Sequence, residues 1–132
     1  MPFVAIVTVL ALGQFFWLSL QVARARVRYG VAAPATTGNE LFERHFRVQM
    51  NTLEQLMLFL PSLWIFAQYI SSLWAAALGV VFIIGRAIYA TSYVRDPRSR
   101  SLGFGLTAFP TFAMMIGIVA WAVRSILLGA AW

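Results

Sequence analysis

Cysteine is absent from the 132 residues of this chain. Its absence excludes disulfide bonds, metal sites built on thiolates, a cysteine nucleophile and lipid attachment to cysteine. Any sulfur chemistry at this protein must therefore come from a bound molecule. Lysine is also absent, so all ten basic residues are arginines, and only four residues are acidic.

Charged side chains are scarce. They make up 11% of the residues, whereas 61% are hydrophobic and the mean hydropathy is +0.81. A soluble domain has about a quarter of its residues charged. The composition therefore predicts a single-domain integral membrane protein that contacts membrane lipid.

The net charge of +6 would favour nucleic-acid binding in a soluble protein. Here, however, the arginines lie at the ends of hydrophobic segments rather than along one soluble face, so we expect no nucleic-acid partner. Arginine is preferred where a planar guanidinium holds carboxylates or stays charged when partly buried. The arginines indicate anion binding, membrane topology or both.

Four segments have the roughly 20 mainly apolar residues that a membrane-spanning helix needs. They cover approximately residues 3–23, 41–69, 73–93 and 102–128. We predict an all-α, up-down bundle of four transmembrane helices within one domain, residues 1–132. The first segment has no arginine or lysine before its apolar run, which favours a retained span over a signal peptide.

The connections contain turn-forming residues. Residues 30–39 form a predicted loop, and the spacing of Thr37 and Glu40 predicts a capping box at the start of the second span. The link at residues 70–72 is short enough for an antiparallel hairpin. Residues 96–99 form the third turn.

Most arginines flank the first and third connections, and only Arg124 lies near the other ends of the spans. The positive-inside tendency therefore predicts that these two connections face the cytoplasm, in a bacterial inner membrane or a eukaryotic endomembrane. Pro110 lies within the fourth span, where we expect it to kink the helix or to mark its start.

The second span carries a polar stripe. At 100° per residue, five polar side chains fall within about 100° of one another. These are Arg44, Arg47, Asn51, Glu54 and Gln55. A carboxylate at this depth in a bilayer needs a partner. One interpretation is a structural ion pair with an arginine of another helix, for which Arg86 is the candidate.

The third span places Arg86, Tyr89 and Tyr93 on one face, although tyrosines alone are also typical of an interfacial aromatic belt. Together, the two polar faces predict a cationic, hydroxyl-lined cavity for a small polyanionic ligand. Gln49 and Asn51 would add neutral donors and acceptors for a peptide-like molecule. We identify no metal site.

Two blocks of sequence resemble the MAPEG family, the membrane-associated proteins of eicosanoid and glutathione metabolism. Residues 42–54 read FERHFRVQMNTLE and continue into LFLPSLW at 58–64, and residues 86–95 read RAIYATSYVR. With LQVARAR at 20–26, the likeness covers nearly the whole chain. It is nearest to the branch with leukotriene-C synthase and the microsomal glutathione transferases.

The resemblance implies a homotrimer that binds glutathione between adjacent subunits and takes lipophilic co-substrates from the membrane. Arg100 matches the arginine thought to activate the glutathione thiol. The positions that match glutathione contacts of the family are Arg26, Arg47, Gln49, Asn51, Glu54, Arg86, Tyr89 and Tyr93. Elementary chemistry agrees, because arginines can hold the carboxylates of glutathione and a nearby guanidinium favours the thiolate.

Two positions depart from the family pattern. Val27 replaces a second arginine of leukotriene-C synthase, and Gln55 replaces an aromatic residue. We therefore expect glutathione conjugation to lipophilic electrophiles, or reduction of lipid hydroperoxides, rather than leukotriene synthesis. A non-catalytic lipid-binding scaffold and a small anion transporter are the alternatives. His45 is interpreted as an interfacial residue rather than a catalytic base.

Overall fold

Four long α-helices dominate the computed structural model, which describes residues 1–129. They are α1 (Pro2–Tyr29), α2 (Glu40–Tyr69), α3 (Ser72–Arg95) and α4 (Ser101–Leu127). A short 3-10 helix at Pro97–Ser99 precedes α4, and residues 1–129 contain no strand. The predicted all-α, four-helix architecture is confirmed, and the final predicted span ends one residue beyond α4.

The ends of the helices follow local chemistry. Asn39 caps α2, where its side chain accepts a hydrogen bond of 3.0 Å from the backbone N–H of Phe42. The predicted capping box of Thr37 and Glu40 is wrong, because Asn39 directly precedes the first helical residue. Glu40 lies inside the helix, and its carboxylate instead pairs with Arg44 at 2.7 Å.

Helix α4 runs through Pro110 and begins nine residues earlier in the chain. The alternative that Pro110 marks the start of this helix is therefore wrong. Pro110 is buried within the bundle. Its ring removes one backbone donor from the helix, but the turns on both sides remain helical.

Three stretches among residues 1–129 are long and apolar enough to cross a membrane. They are Pro2–Tyr29, Ser72–Arg95 and Pro97–Leu127. Helix α2 is not among them. At 30 residues, about 45 Å, it is long enough to cross a membrane, but polar side chains such as Glu54, Gln55 and Gln68 lower its hydropathy. Large apolar side chains are exposed along all four helices, as expected where lipid replaces water as the surroundings. The chain is a membrane protein.

The short connections between consecutive helices produce the up-down order. Helices α2 and α3 each pack against the other three, whereas α3 packs most closely on α4. The rings of Phe59 and Phe82 stack at a centroid distance of 3.8 Å in the apolar core.

Two glycines allow the close approach of α3 and α4. A Cβ atom at Gly103 would collide with the backbone of Tyr89, and one at Gly85 would lie 2.8 Å from the backbone nitrogen of Thr107. Small residues permit such contact between helices in membranes. This contact brings α4 within hydrogen-bonding distance of the polar face of α3.

Candidate functional site

Arg86 is the polar centre of the bundle. The residue is fully buried. Its Nε donates to Thr107 Oγ1 at 2.9 Å, and its Nη1 donates to Asn51 Oδ1 at 2.7 Å and to Thr52 Oγ1 at 3.1 Å. The guanidinium therefore links three helices, α2, α3 and α4.

Part of this guanidinium has no partner. Among residues 1–129, the buried Nη2 of Arg86 makes no hydrogen bond. A buried unsatisfied donor is costly, and native structures rarely retain one without a reason. Arg86 can therefore donate to one further acceptor, such as a carboxylate or carbonyl oxygen of a bound molecule.

Two tyrosines continue this polar face along α3. Tyr89 is buried, and its ring lies 4.3 Å from the Arg86 guanidinium carbon. Tyr93 stacks on Tyr89 with a centroid distance of 5.5 Å. Arg47 and Tyr93 line a common groove. Arg86 and Arg47 thus lie beside this pair of tyrosines.

A groove of about 390 Å³ opens beside Tyr93 at the arginine-rich ends of the helices. Its lining residues come from the first connection, from the start of α2, from the end of α3 and from the 3-10 helix. They are Thr36, Glu40, Glu43, Arg44, Phe46, Arg47, Tyr93 and Pro97. The groove has the size of a small-molecule site and carries charges of both signs, which suits a zwitterionic ligand better than a simple anion.

Glu54 finds its nearest basic partner on its own helix. Its Oε1 lies 3.9 Å from Arg47 Nη1, and both side chains are more than half exposed. The candidate ion pair between Glu54 and Arg86 is wrong, because among residues 1–129 the carboxylate of Glu54 pairs with Arg47, while Arg86 donates to Asn51 and two threonines. The long, exposed pair leaves both Glu54 and Arg47 accessible to a ligand.

Two predicted site residues lie elsewhere. Arg26 Nη1 donates to the carbonyl of Ala35 at 2.6 Å, and its guanidinium lies over the ring of Phe42. Gln49 Nε2 donates to Ser19 Oγ of α1 at 3.0 Å. Gln49 and Asn51 are two residues apart, which places them about 160° apart around α2. Within a single chain, Arg26 and Gln49 therefore lie outside the cluster formed by Arg86 and its partners, which we call the Arg86 cluster.

The exposed Arg100 lies at the start of α4, immediately after the 3-10 turn. Gly103, about one helical turn later, packs against the backbone of Tyr89, so Arg100 lies at the same end of the bundle as the tyrosines. The structure thus brings seven of the nine predicted residues to one region. They are Arg47, Asn51, Glu54, Arg86, Tyr89, Tyr93 and Arg100.

Sequence reasoning missed two residues of this region, and it missed the contacts of a third, Arg44, which it placed on the polar stripe. Thr52 and Thr107 hold Arg86, and Arg44 donates to the carbonyls of Val94 and Arg95 at 3.1 and 3.2 Å. Thr52 is adjacent to Asn51 in the motif and could have been included on that ground. Thr107 has no comparable signal, since a single threonine in an apolar span usually bonds its own helix.

Comparisons with known proteins agree with this architecture. The MAPEG family model matches residues 4–120. An uncharacterized protein of Synechocystis is 45% identical over 92% of this chain and 91% of its own length. Human microsomal glutathione S-transferase 2 is 37% identical over 86% of this chain and 80% of its own length. Guinea pig (Cavia porcellus) leukotriene C4 synthase is 40% identical over 73% of this chain and 64% of its own length. The helical membrane bundle, its buried arginine and these matches lead to one conclusion: this chain belongs to the MAPEG family.

Proposed function

We propose that this protein is a membrane-bound glutathione transferase, with or without glutathione-dependent peroxidase activity, that acts on lipophilic electrophiles or lipid hydroperoxides. The relatives named for glutathione transfer and leukotriene C4 synthesis support this class of activity. The observation that carries the proposal is the buried guanidinium of Arg86, held at three points with one donor unused.

The charges of the region match those of glutathione. This tripeptide has two carboxylates and one ammonium group, so it needs cations and an anion at separate points. In our proposal, Arg47 and Arg86 take carboxylate or carbonyl oxygens and Glu54 takes the ammonium group. Asn51 and the tyrosine pair Tyr89 and Tyr93 add neutral hydrogen-bonding groups.

The positions of Arg26 and Gln49 support assembly of the site from more than one subunit. Both lie away from the Arg86 cluster in a single chain. A neighbouring copy could offer these residues across an interface, and a cyclic trimer is the arrangement we propose. The exposed apolar surface of the helices leaves room for such contacts.

Arg100 is the proposed activating group. Free thiols have a pKa near 8.5, and an adjacent guanidinium favours the thiolate. The thiolate sulfur then bonds to the electrophilic carbon, and the leaving group departs with the electron pair of its bond. With a hydroperoxide, the thiolate sulfur attacks the distal oxygen and is oxidised to a sulfenic acid, while the O–O bond breaks. The alkoxide that leaves takes a proton from water, equivalent to the one released by the thiol, and becomes an alcohol. A second glutathione then displaces water from the sulfenic acid to give the disulfide.

The membrane would supply the second substrate. Lipophilic electrophiles concentrate in the hydrocarbon and can approach between the helices, while glutathione enters from water at the arginine-rich ends. We propose that these ends face the cytoplasm of a bacterial inner membrane or a eukaryotic endomembrane, in keeping with the positive-inside tendency.

The test uses purified protein in detergent, with glutathione and an electrophilic aryl halide or a lipid hydroperoxide. We expect turnover, and a loss of about 100-fold in Arg100→Ala, as is common when a group that stabilises developing negative charge is removed. Arg98→Ala is the matched control, since Arg98 is also exposed in the same turn. Wild-type turnover in Arg100→Ala would refute the role of Arg100.

Calorimetry separates this proposal from the alternative of a non-catalytic lipid-binding scaffold. An enzyme of the proposed class binds glutathione at millimolar ligand or below, and its binding should weaken strongly in Glu54→Gln. If wild-type protein binds no glutathione under these conditions and shows no turnover, the scaffold is favoured and the enzyme proposal fails.

A further inference from the structure

A second cavity lies on the other side of the bundle, where α1 and α3 meet over α2. It is a groove of about 430 Å³. Its lining is mainly apolar, with polar side chains at one end. The lining residues are Trp17, Leu18, Gln21, His45, Val48, Ala90, Thr91, Val94 and Arg95. None of them belongs to the proposed glutathione site.

An arginine-lined pocket of about 260 Å³ adjoins this groove. It is lined by Gln21, Arg24, Ala25, Arg28, Tyr29 and His45. Gln21 and His45 line both cavities, so the apolar groove and the cationic pocket form one elongated site. His45 is half-buried at this junction.

The charges of the combined site all have one sign. Arg24 and Arg28 lie in the pocket and Arg95 at the groove, and among residues 1–129 no acidic side chain lines either cavity. The guanidinium of Arg24 also lies 5.3 Å from the ring of Trp17, which joins the cationic end to the apolar wall. An anion is thus favoured at one end and a hydrocarbon chain at the other.

The length of the site fits one leaflet of a bilayer. Trp17 and Arg28 are eleven residues apart on α1, about 16 Å along the helix axis. This is about half of the roughly 30 Å hydrocarbon thickness. The arginines lie near the end of α1, where we expect lipid headgroups, and Trp17 lies further along the helix toward the expected hydrocarbon.

We propose that this site binds one anionic phospholipid, with its phosphate at Arg24 and Arg28 and an acyl chain along Trp17 and Ala90. Arginine suits this role because its planar donors match phosphate oxygens and its aliphatic stem tolerates the membrane interface. The site is independent of glutathione binding. It gives a role to arginines that the proposed catalytic function does not use.

Tryptophan quenching tests the proposal, because Trp17 lines the groove. Full-length protein in mild detergent is titrated with phosphatidylglycerol brominated on its acyl chains, and in parallel with equally brominated phosphatidylcholine. We expect phosphatidylglycerol to quench at about tenfold lower concentration, since basic residues near the surface favour anionic lipid. Trp17→Phe should remove most of the saturable quenching.

Two variants separate the headgroup from the chain. Arg24→Gln combined with Arg28→Gln should abolish the preference for phosphatidylglycerol, while Arg98→Gln combined with Arg124→Gln, matched in charge change, should retain it. Ala90→Phe, which narrows the groove, should weaken binding of both lipids. Retention of the preference in the first double variant, or equal quenching by both lipids in wild type, overturns the proposal.

Further ligands identify the class of anion. Inorganic phosphate at 10 mM, on the order of physiological concentration, should displace little lipid, because it lacks the chain that fills the groove. Full displacement would reduce the site to a phosphate pocket and overturn the lipid assignment, as would a preference for oleate over phosphatidylglycerol. Glutathione binding should be unchanged in the Arg24 and Arg28 double variant, so failure of either proposal is recognised separately.

Discussion

The two halves of the bundle are held together by different chemistry. In the apolar half, toward Met1 and the α2–α3 hairpin, buried side chains such as Val4, Phe59 and Phe82 pack without polar partners. In the arginine half, toward the other helix ends, Arg86 and Arg44 tie helices together through hydrogen bonds. The difference teaches that apolar packing with few polar contacts, such as that from Trp64 Nε1 to Thr8 Oγ1, joins the helices in one half, whereas the fully buried Arg86 makes hydrogen bonds essential in the other.

The largest effect on stability should come from the apolar half. Phe59→Ala removes a fully buried ring that stacks on Phe82, and should destabilise the protein by about 3–5 kcal/mol. Glutathione affinity of the protein that remains folded should be unchanged. Unfolding in detergent with increasing dodecyl sulfate measures the loss of stability, and calorimetry measures the glutathione affinity. Phe112→Ala, at an exposed position, is the control.

Arg86→Met should affect stability and binding together. The methionine fills much of the volume but leaves Asn51 and the threonines Thr52 and Thr107 without their donor, so we expect a loss of about 2–4 kcal/mol and no measurable glutathione binding. The same unfolding and calorimetric assays apply. If Arg86→Met is more stable than the wild-type protein and still binds glutathione, Arg86 has neither the structural nor the binding role that distinguishes the arginine half. Arg124→Met, near the opposite end, is the control.

Gly103→Ala tests the contact that positions Arg86. The added Cβ meets the backbone of Tyr89 and must push α3 and α4 apart, which should cost about 1–3 kcal/mol and weaken glutathione binding. Gly105→Ala is a close control on the same helix, because its Cβ would meet nothing within 4 Å. Equal thermal stability of the two variants would show that the tight helix contact is dispensable.

The smallest effect is expected at Arg44. Arg44→Gln removes the donors to the carbonyls of Val94 and Arg95, and should cost about 1 kcal/mol. Glu40→Gln removes only an exposed ion pair and should leave the unfolding midpoint unchanged. If both variants behave alike, the carbonyl contacts of Arg44 contribute nothing to the arginine half.

Hydropathy was enough to predict α1, α3 and α4, because spanning a membrane requires long apolar segments with internally satisfied backbones. Helix α2 is less apolar than these three, and its prediction depended also on the helical periodicity of its polar stripe. Helix ends were harder, since Thr37 and Asn39 both have capping side chains and only the backbone decides between them. The continuation of α4 through Pro110 likewise depends on packing against the other helices, which the neighbouring residues in the sequence do not reveal.

The site was only partly predictable. The stripe on α2 and the face on α3 follow from periodicity, so Asn51, Arg86 and Tyr89 could be grouped in advance. Their partners could not. Thr107 is 21 residues from Arg86, and its role depends on the close approach of α3 and α4. Gln49 shares the motif with Asn51, but helical geometry turns it toward α1 instead.

The buried guanidinium of Arg86 also has a consequence for biogenesis. An arginine that enters a bilayer alone costs about 2.5–3.5 kcal/mol on insertion scales. Two of its three hydrogen bonds are to α2, which is synthesised first and is separated from α3 by two residues, whereas Thr107 arrives later with α4. We therefore expect α2 and α3 to leave the translocon as a pair, with α4 closing the bundle afterwards.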